Sequence, residues 1–200
     1  MIWLLACTGG VEPVDRPGAT DDSAEPVVEP AFSTAARADL RLKRWRQLSL
    51  DLQGALALTP DQVCKETGLY DCTDLHAVAL GGLSRDNGVY DAQNRVGVTT
   101  SLAMERVVLQ ACWTRVELDL ADTPVVFTHV ALDSSDATET ELDAQTTELT
   151  RRLLARDPVD DELIAMRDFH ATTLELGGTN AEWAWGACFA LGTSTEALLY

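Results

Sequence analysis

Apolar residues recur at helical spacing in several windows of the chain, and the polar residues between those windows carry helix-starting and helix-ending signals. Ser33 is a candidate N-cap for a first helix in which Leu42, Trp45, Leu48 and Leu52 fall near one face and Gly54 is the stop. Thr59 followed by Pro60 then marks a new helical start. From Thr99 a long helix is expected, with Leu102, Leu109, Trp113 and Val116 on one face and Val108 and Cys112 beside them. So many apolar positions predict the central, most buried helix. Thr138 and Glu141 have capping-box spacing ahead of Leu142, Leu149 and Leu153, which predicts a helix running to Arg156. Asp157-Pro158 opens the next, with Leu163, Met166 and His170 as its stripe. Gly177-Gly178 ends that helix, and Asn180 is read as the cap of the last one.

Between these windows the pattern changes. Gly81-Gly82 is a turn signal, and Asn87-Gly88 is the dipeptide of tight hairpin turns, although its flanks are polar. Residues 124–132, PVVFTHVAL, have strand-like composition but no complementary strand to pair with, so an extended segment packed on the helices is expected. The expected fold is therefore mainly α: a single-domain irregular helical bundle with long loops, covering residues 32–200.

Composition agrees with one core. Of 200 residues, 46% are hydrophobic and 24% charged, which fits one globular domain with a tail. The formal net charge of -17 excludes a nucleic-acid role, because phosphate contacts need clustered Lys and Arg. The one basic cluster holds Arg37, Arg41 and Arg44 at i, i+4 and i+7, with Lys43 and Arg46 nearby. On a helix these form a candidate anion-binding face, with a solvated face paired to internal acids as the competing reading. Residues 8–31 are different again: Glu12, Asp15, Asp21, Asp22, Glu25 and Glu29 stand against Arg16 alone, interspersed with four of the chain's seven prolines. One-sign charge, proline and few apolar residues read as a disordered acidic tether.

Five cysteines leave one over after pairing. Cys64 and Cys72 bracket seven residues, including Gly68, so a local disulfide is sterically easy. A zinc site using Cys64, Cys72 and His76 is the alternative, but structural zinc cysteines usually stand closer together and a fourth ligand is missing. Cys112 and Cys188 then form the favoured second pair, among three connectivities that four cysteines allow. No C-x-x-C-H haem site, nucleophile elbow, H-E-x-x-H or phosphate loop occurs, so no cofactor is expected. Asp86 to Asp91 lacks the alternating ligands and terminal Glu of a calcium loop. A hydrolase would have to use His129 or His170 with acids between Asp133 and Asp143, a grouping without diagnostic spacing.

The unpaired cysteine has its own context. Leu4-Leu5-Ala6-Cys7 resembles the lipobox of bacterial lipoproteins, although only six residues precede Cys7 and none is basic. That resemblance implies a signal-like segment at residues 1–7, lipidation of Cys7, anchorage to a membrane and, with Thr8 following, release to the outer membrane or cell surface. Two further phrases resemble the cytochrome-associated helical domains of planctomycete and myxobacterial surface proteins. The first is Leu48-Ser49-Leu50-Asp51-Leu52-Gln53-Gly54 with Thr59-Pro60-Asp61. The second is Leu149 to Leu163, then Ala184-Trp185, Cys188, Ala190-Leu191, Ser194, Glu196 and Leu198-Leu199-Tyr200. This second resemblance implies an accessory of a c-type cytochrome system but supplies no catalytic residue. Together the readings predict an envelope-anchored lipoprotein whose helical domain binds or scaffolds an envelope partner without catalysis.

Overall fold

The computed structural model describes residues 41–66, 70–83 and 97–199, all within the compact unit Asp39–Tyr200. Cys7, the acidic segment 8–31, Ser33 and Arg37 lie outside the described residues, as do Asn87-Gly88 and the Asp86 to Asp91 grouping. The architecture is mainly helical. In chain order it comprises α1 Trp45–Leu56, a 3-10 turn Pro60–Gln62, a two-residue antiparallel pair β1 Lys65–Glu66 and β2 Tyr70–Asp71, and the short α2 Cys72–Leu75. Then follow α3 Val98–Ala121, α4 Glu139–Leu154, α5 Asp160–Glu175, α6 Asn180–Gly192 and the short α7 Thr195–Leu198.

The first helix differs from expectation at both ends. Residues 41–44 are extended because they pair with the chain's far end: Leu42 bridges Leu199, and the Lys43 N–H donates to the Leu198 carbonyl at 2.8 Å. Helix α1 starts only at Trp45, whose N–H donates to Leu80. At the other end Gly54 does not stop it. A Cβ at Gly54 would meet nothing, so the glycine lies on the open side, and the helix continues until Leu56 is buried above Leu52 and Leu48. Ala57, at φ 49°, provides the left-handed turn expected of glycine. Tertiary burial outweighs the roughly 1 kcal/mol helical cost of glycine here.

Helix α6 sits at the centre of the bundle, packed against α3, α4, α5 and α7. Trp183, Ala184, Ala187, Cys188 and Leu191 are buried along it, facing Val107, Val108, Ala111 and Cys112 of α3. Small residues set the approach: a Cβ on Gly192 would stand 2.7 Å from Val108 Cγ1. On α3, Val108, Cys112 and Val116 are buried as expected, whereas Leu102, Leu109 and Trp113 are not. The buried face is Ala103, Met104, Val107, Val108, Ala111, Cys112, Arg115, Val116 and Asp119, while Leu102, Leu109 and Trp113 are exposed. The helix is apolar on two sides, and the close contact with α6 selects the side with small residues.

Residues 124–132 pack on the helices without strand pairing, as expected, but they bend at 125–126 and 129–130 rather than run extended, and they bury Val126, Phe127, Val130 and Leu132. Helix α4 begins with the expected Thr138–Glu141 capping box and ends at Leu154, two residues before Arg156. Helix α5 starts at Asp160, where Glu162 accepts from the Val159 N–H. It ends at the glycine pair, with Gly177 at φ 83°. The cap of α6 is Thr179, whose N–H and hydroxyl both donate to Glu182; Asn180 is the first buried residue of the helix instead.

Both disulfides form as favoured. Cys64–Cys72 joins Cα atoms 5.4 Å apart and closes the β1–β2 loop, and Cys112–Cys188 joins α3 to α6 across 5.8 Å. Their cysteines are buried. With Cys64 bonded to Cys72, neither sulfur is a thiolate available to zinc beside His76. The loops closed are very different in length, at separations of 8 and 76 residues. Removing Cys112–Cys188 by Cys112→Ala with Cys188→Ala is expected to cost about 4–5 kcal/mol, and removing Cys64–Cys72 about 2–3 kcal/mol. Urea denaturation of the two double variants checks the order; equal losses would contradict it.

Candidate functional site

Chemistry-bearing side chains are buried in two places, and in each their polar atoms hold loops. Arg115 and Asp119 lie one turn apart on the buried face of α3, with Arg115 Nη2 2.6 Å from Asp119 Oδ1. Asp119 also accepts three backbone N–H groups, from Val125 at 2.8 Å, Val126 at 3.0 Å and Phe127 at 2.9 Å. Arg115 Nη1 donates to the carbonyls of Leu56 at 3.5 Å and Ala57 at 3.3 Å, where α1 ends and its last carbonyls lack helical N–H donors. The carboxylate is thus surrounded by donors, the arrangement that keeps a buried charge satisfied. Gln145 completes the support from α4, donating to the Val126 carbonyl at 3.0 Å and accepting the His129 N–H at 3.1 Å.

The second buried place holds His170. Its Nε2 is 2.8 Å from Asn180 Oδ1, and its ring meets the Trp183 indole edge-on at a centroid distance of 5.6 Å. Asn180 Nδ2 donates to the carbonyls of Ala131 and Asp136, so the amide oxygen is the atom facing His170. It follows that His170 Nε2 carries the proton and donates. An imidazole nitrogen engaged in this way is not a base for substrate. His129 is exposed, and the structure does not bring it into a hydrogen-bonded grouping with the acids from Asp133 to Asp143. Trp183 is likewise anchored, its indole N–H donating to the Met166 carbonyl at 3.1 Å.

A cleft of about 350 Å³ opens between α1 and α4. Leu48, Leu52 and Leu153 supply apolar lining, while Lys43, Asp51 and Arg152 supply charge. The charges are already engaged: Lys43 Nζ is 2.7 Å from Asp51 Oδ2, and Arg152 pairs with Glu148 at 2.6 Å while donating to the Ala55 carbonyl at 3.3 Å. The expected anion-binding face is not assembled on a helix. Arg41 and Arg44 lie on the extended segment before α1, so the i, i+4, i+7 spacing does not align them. Lys43, beside them in sequence, is turned into the cleft.

The Arg115–Asp119 pair was not singled out by the sequence reading. A signal existed: an oppositely charged i, i+4 pair interrupts an apolar stripe just before Pro124, and burial of both members requires partners. Three comparisons, with family models, curated proteins and solved structures, yield no significant match to this chain. No group of three or more potential metal-ligating His, Cys, Asp or Glu side chains and no helix long and apolar enough to cross a membrane occurs among the described residues.

At the surface, Arg156 forms an ion-pair group with two carboxylates. Its Nη1 and Nη2 bind both oxygens of Glu162 at 2.8 and 2.7 Å, and its Nε binds Glu196 at 2.9 Å, tying the α4–α5 loop to α5 and α7. Arg156 beside it and the Val159 N–H hold the Glu162 carboxyl down at about 2, from an ordinary 4.5. A depressed folded-state pKa contributes stability that is present above the unfolded value and lost as pH falls toward the folded one. Glu162→Gln is therefore expected to lower the denaturation midpoint at pH 6, with the difference from the parent protein shrinking between pH 4.5 and 2. A difference independent of pH over that interval would contradict the pairing.

Proposed function

We propose that the protein is an envelope-anchored lipoprotein whose helical domain acts by binding or scaffolding, without catalysis, at the outer membrane or cell surface. The observation that carries this reading is the pair of closed disulfides, which supports residence in an oxidising compartment. Cys7 is the remaining cysteine, it stands in a lipobox-like context, and an acidic proline-bearing tether follows it. Lipid at that position with a spacer behind it holds a domain off a membrane. The use of His170, Asp119, Arg115 and Gln145 in packing and loop support favours binding over chemistry. The partner's class is an envelope protein met through the domain's outer surface.

Metabolic labelling with an alkyne fatty acid in a bacterial host tests the anchor. The full chain is expected to incorporate label and to fractionate with membranes, and Cys7→Ser is expected to lose both. An unlabelled parent chain, or a Cys7→Ser variant that retains the label, contradicts the reading.

A further inference from the structure

Helix α3 carries a second apolar stripe on its outer side. Val98, Leu102, Leu109, Trp113 and Leu120 are 78%, 58%, 36%, 43% and 46% exposed, respectively. At 100° per residue they fall within about 60° of one another, along roughly 33 Å of helix. Such an alignment differs from scattered surface leucines, because contiguous apolar surface marks interaction sites. The stripe is also held in place from within. Trp113 stacks edge-on against Trp185 at 5.2 Å, and the Trp185 indole N–H donates to the Leu109 carbonyl at 3.3 Å. The Cys112–Cys188 disulfide fixes α3 on α6 at the residue next to Trp113. A rigid apolar ridge loses little side-chain freedom when covered.

We infer that this ridge is a homodimer interface in which α3 packs antiparallel against α3 of a second copy. The stripe is complementary to itself in that direction. With the two-fold axis near Ala111, Leu102 lies against Leu120 of the second copy and Leu109 against Trp113. Charge supports the same arrangement. Arg106 and Glu117 lie on one flank of the stripe, and antiparallel packing brings each flank against itself reversed, so Arg106 of each copy stands beside Glu117 of the other. Arg106 keeps an interaction within its own chain, and the second carboxylate adds to it.

Area sets the strength. The five side chains expose roughly 500 Å² per copy, more than half of the ~800 Å² that each partner buries in a standard interface, with Glu105, Arg106, Gln110 and Glu117 flanking the remainder. The net charge of -17 on each copy opposes association at long range, so the dimer is of moderate affinity and its apolar ridge must supply the contact. The same charge disfavours an anionic lipid surface as the occupant. This inference concerns the domain's own assembly and stands independently of the anchor at Cys7.

Sedimentation equilibrium of the full chain carrying Cys7→Ser, with its two disulfides intact, tests the interface; the substitution removes both lipid and any intermolecular disulfide through that position. The weight-average mass is expected to rise from 21.7 kDa toward twice that value with concentration. Leu102→Lys with Leu120→Lys, two exposed positions, is expected to leave a monomer with unchanged circular dichroism. Arg106→Glu is expected to weaken the dimer about tenfold, and Arg106→Glu combined with Glu117→Arg to restore it. A chain that stays monomeric to several hundred micromolar, whether or not it binds lipid vesicles or another protein through the ridge, overturns the inference. So does a dimer indifferent to the double lysine substitution, or a charge exchange that fails to restore association.

Discussion

The carboxylate of Asp119 is the point on which the fold's irregular parts depend. Helices can satisfy their own backbone groups, but residues 124–132 cannot, because they have no strand to pair with and bury Val126 and Phe127 completely. Asp119 meets three of those N–H groups and Gln145 meets a carbonyl and a fourth N–H. Arg115 then balances the charge and carries the connection to the end of α1. Removal of one member leaves the other as an uncompensated buried charge, which costs about 3–5 kcal/mol. One buried ion pair therefore joins α1, α3 and the segment leading to α4.

The buried face of α3 is also joined covalently, two turns before Asp119. Cys112 lies one turn before Val116 and Cys188 lies at the middle of α6, so the bond clamps two helices whose facing residues are small. The small residues allow close packing, and close packing places the larger side chains of α3 outward. Trp113 and Leu109 are exposed for this reason, and Trp185 reaches across from α6 to steady them. The inner contact thus determines what the outer surface offers, which links the packing of the core to the proposed interface.

Features carried by neighbouring residues were legible in the sequence, and features carried by distant ones were not. The Thr138–Glu141 box, the Gly177 turn and the Cys64–Cys72 loop depend on a few adjacent residues and occur where expected. The start of α1 depends on Leu198 and Leu199, more than a hundred residues away, so Leu42 read as helical when it is extended. Gly54 read as a stop because the burial of Leu56 is a tertiary effect. In α3 periodicity was ambiguous: two apolar stripes share one helix, and the wider side chains suggested the wrong one. Asn180 has the residue type of a cap, yet the buried His170 and two loop carbonyls claim its amide. Arg37, Arg41 and Arg44 had helical spacing, but Arg41 and Arg44 lie on a stretch that is not helical.

The central claim is that buried polar side chains serve to hold loops, with Asp119 foremost. Native-state hydrogen exchange at the Val126 and Phe127 amides tests it most directly, since both donate to the Asp119 carboxylate outside any helix or strand. They are expected to exchange only through global unfolding, with the same free energy as the slowest amides of α3. Exchange of these two amides at the rate of an unprotected peptide, while α3 remains protected, would contradict the account.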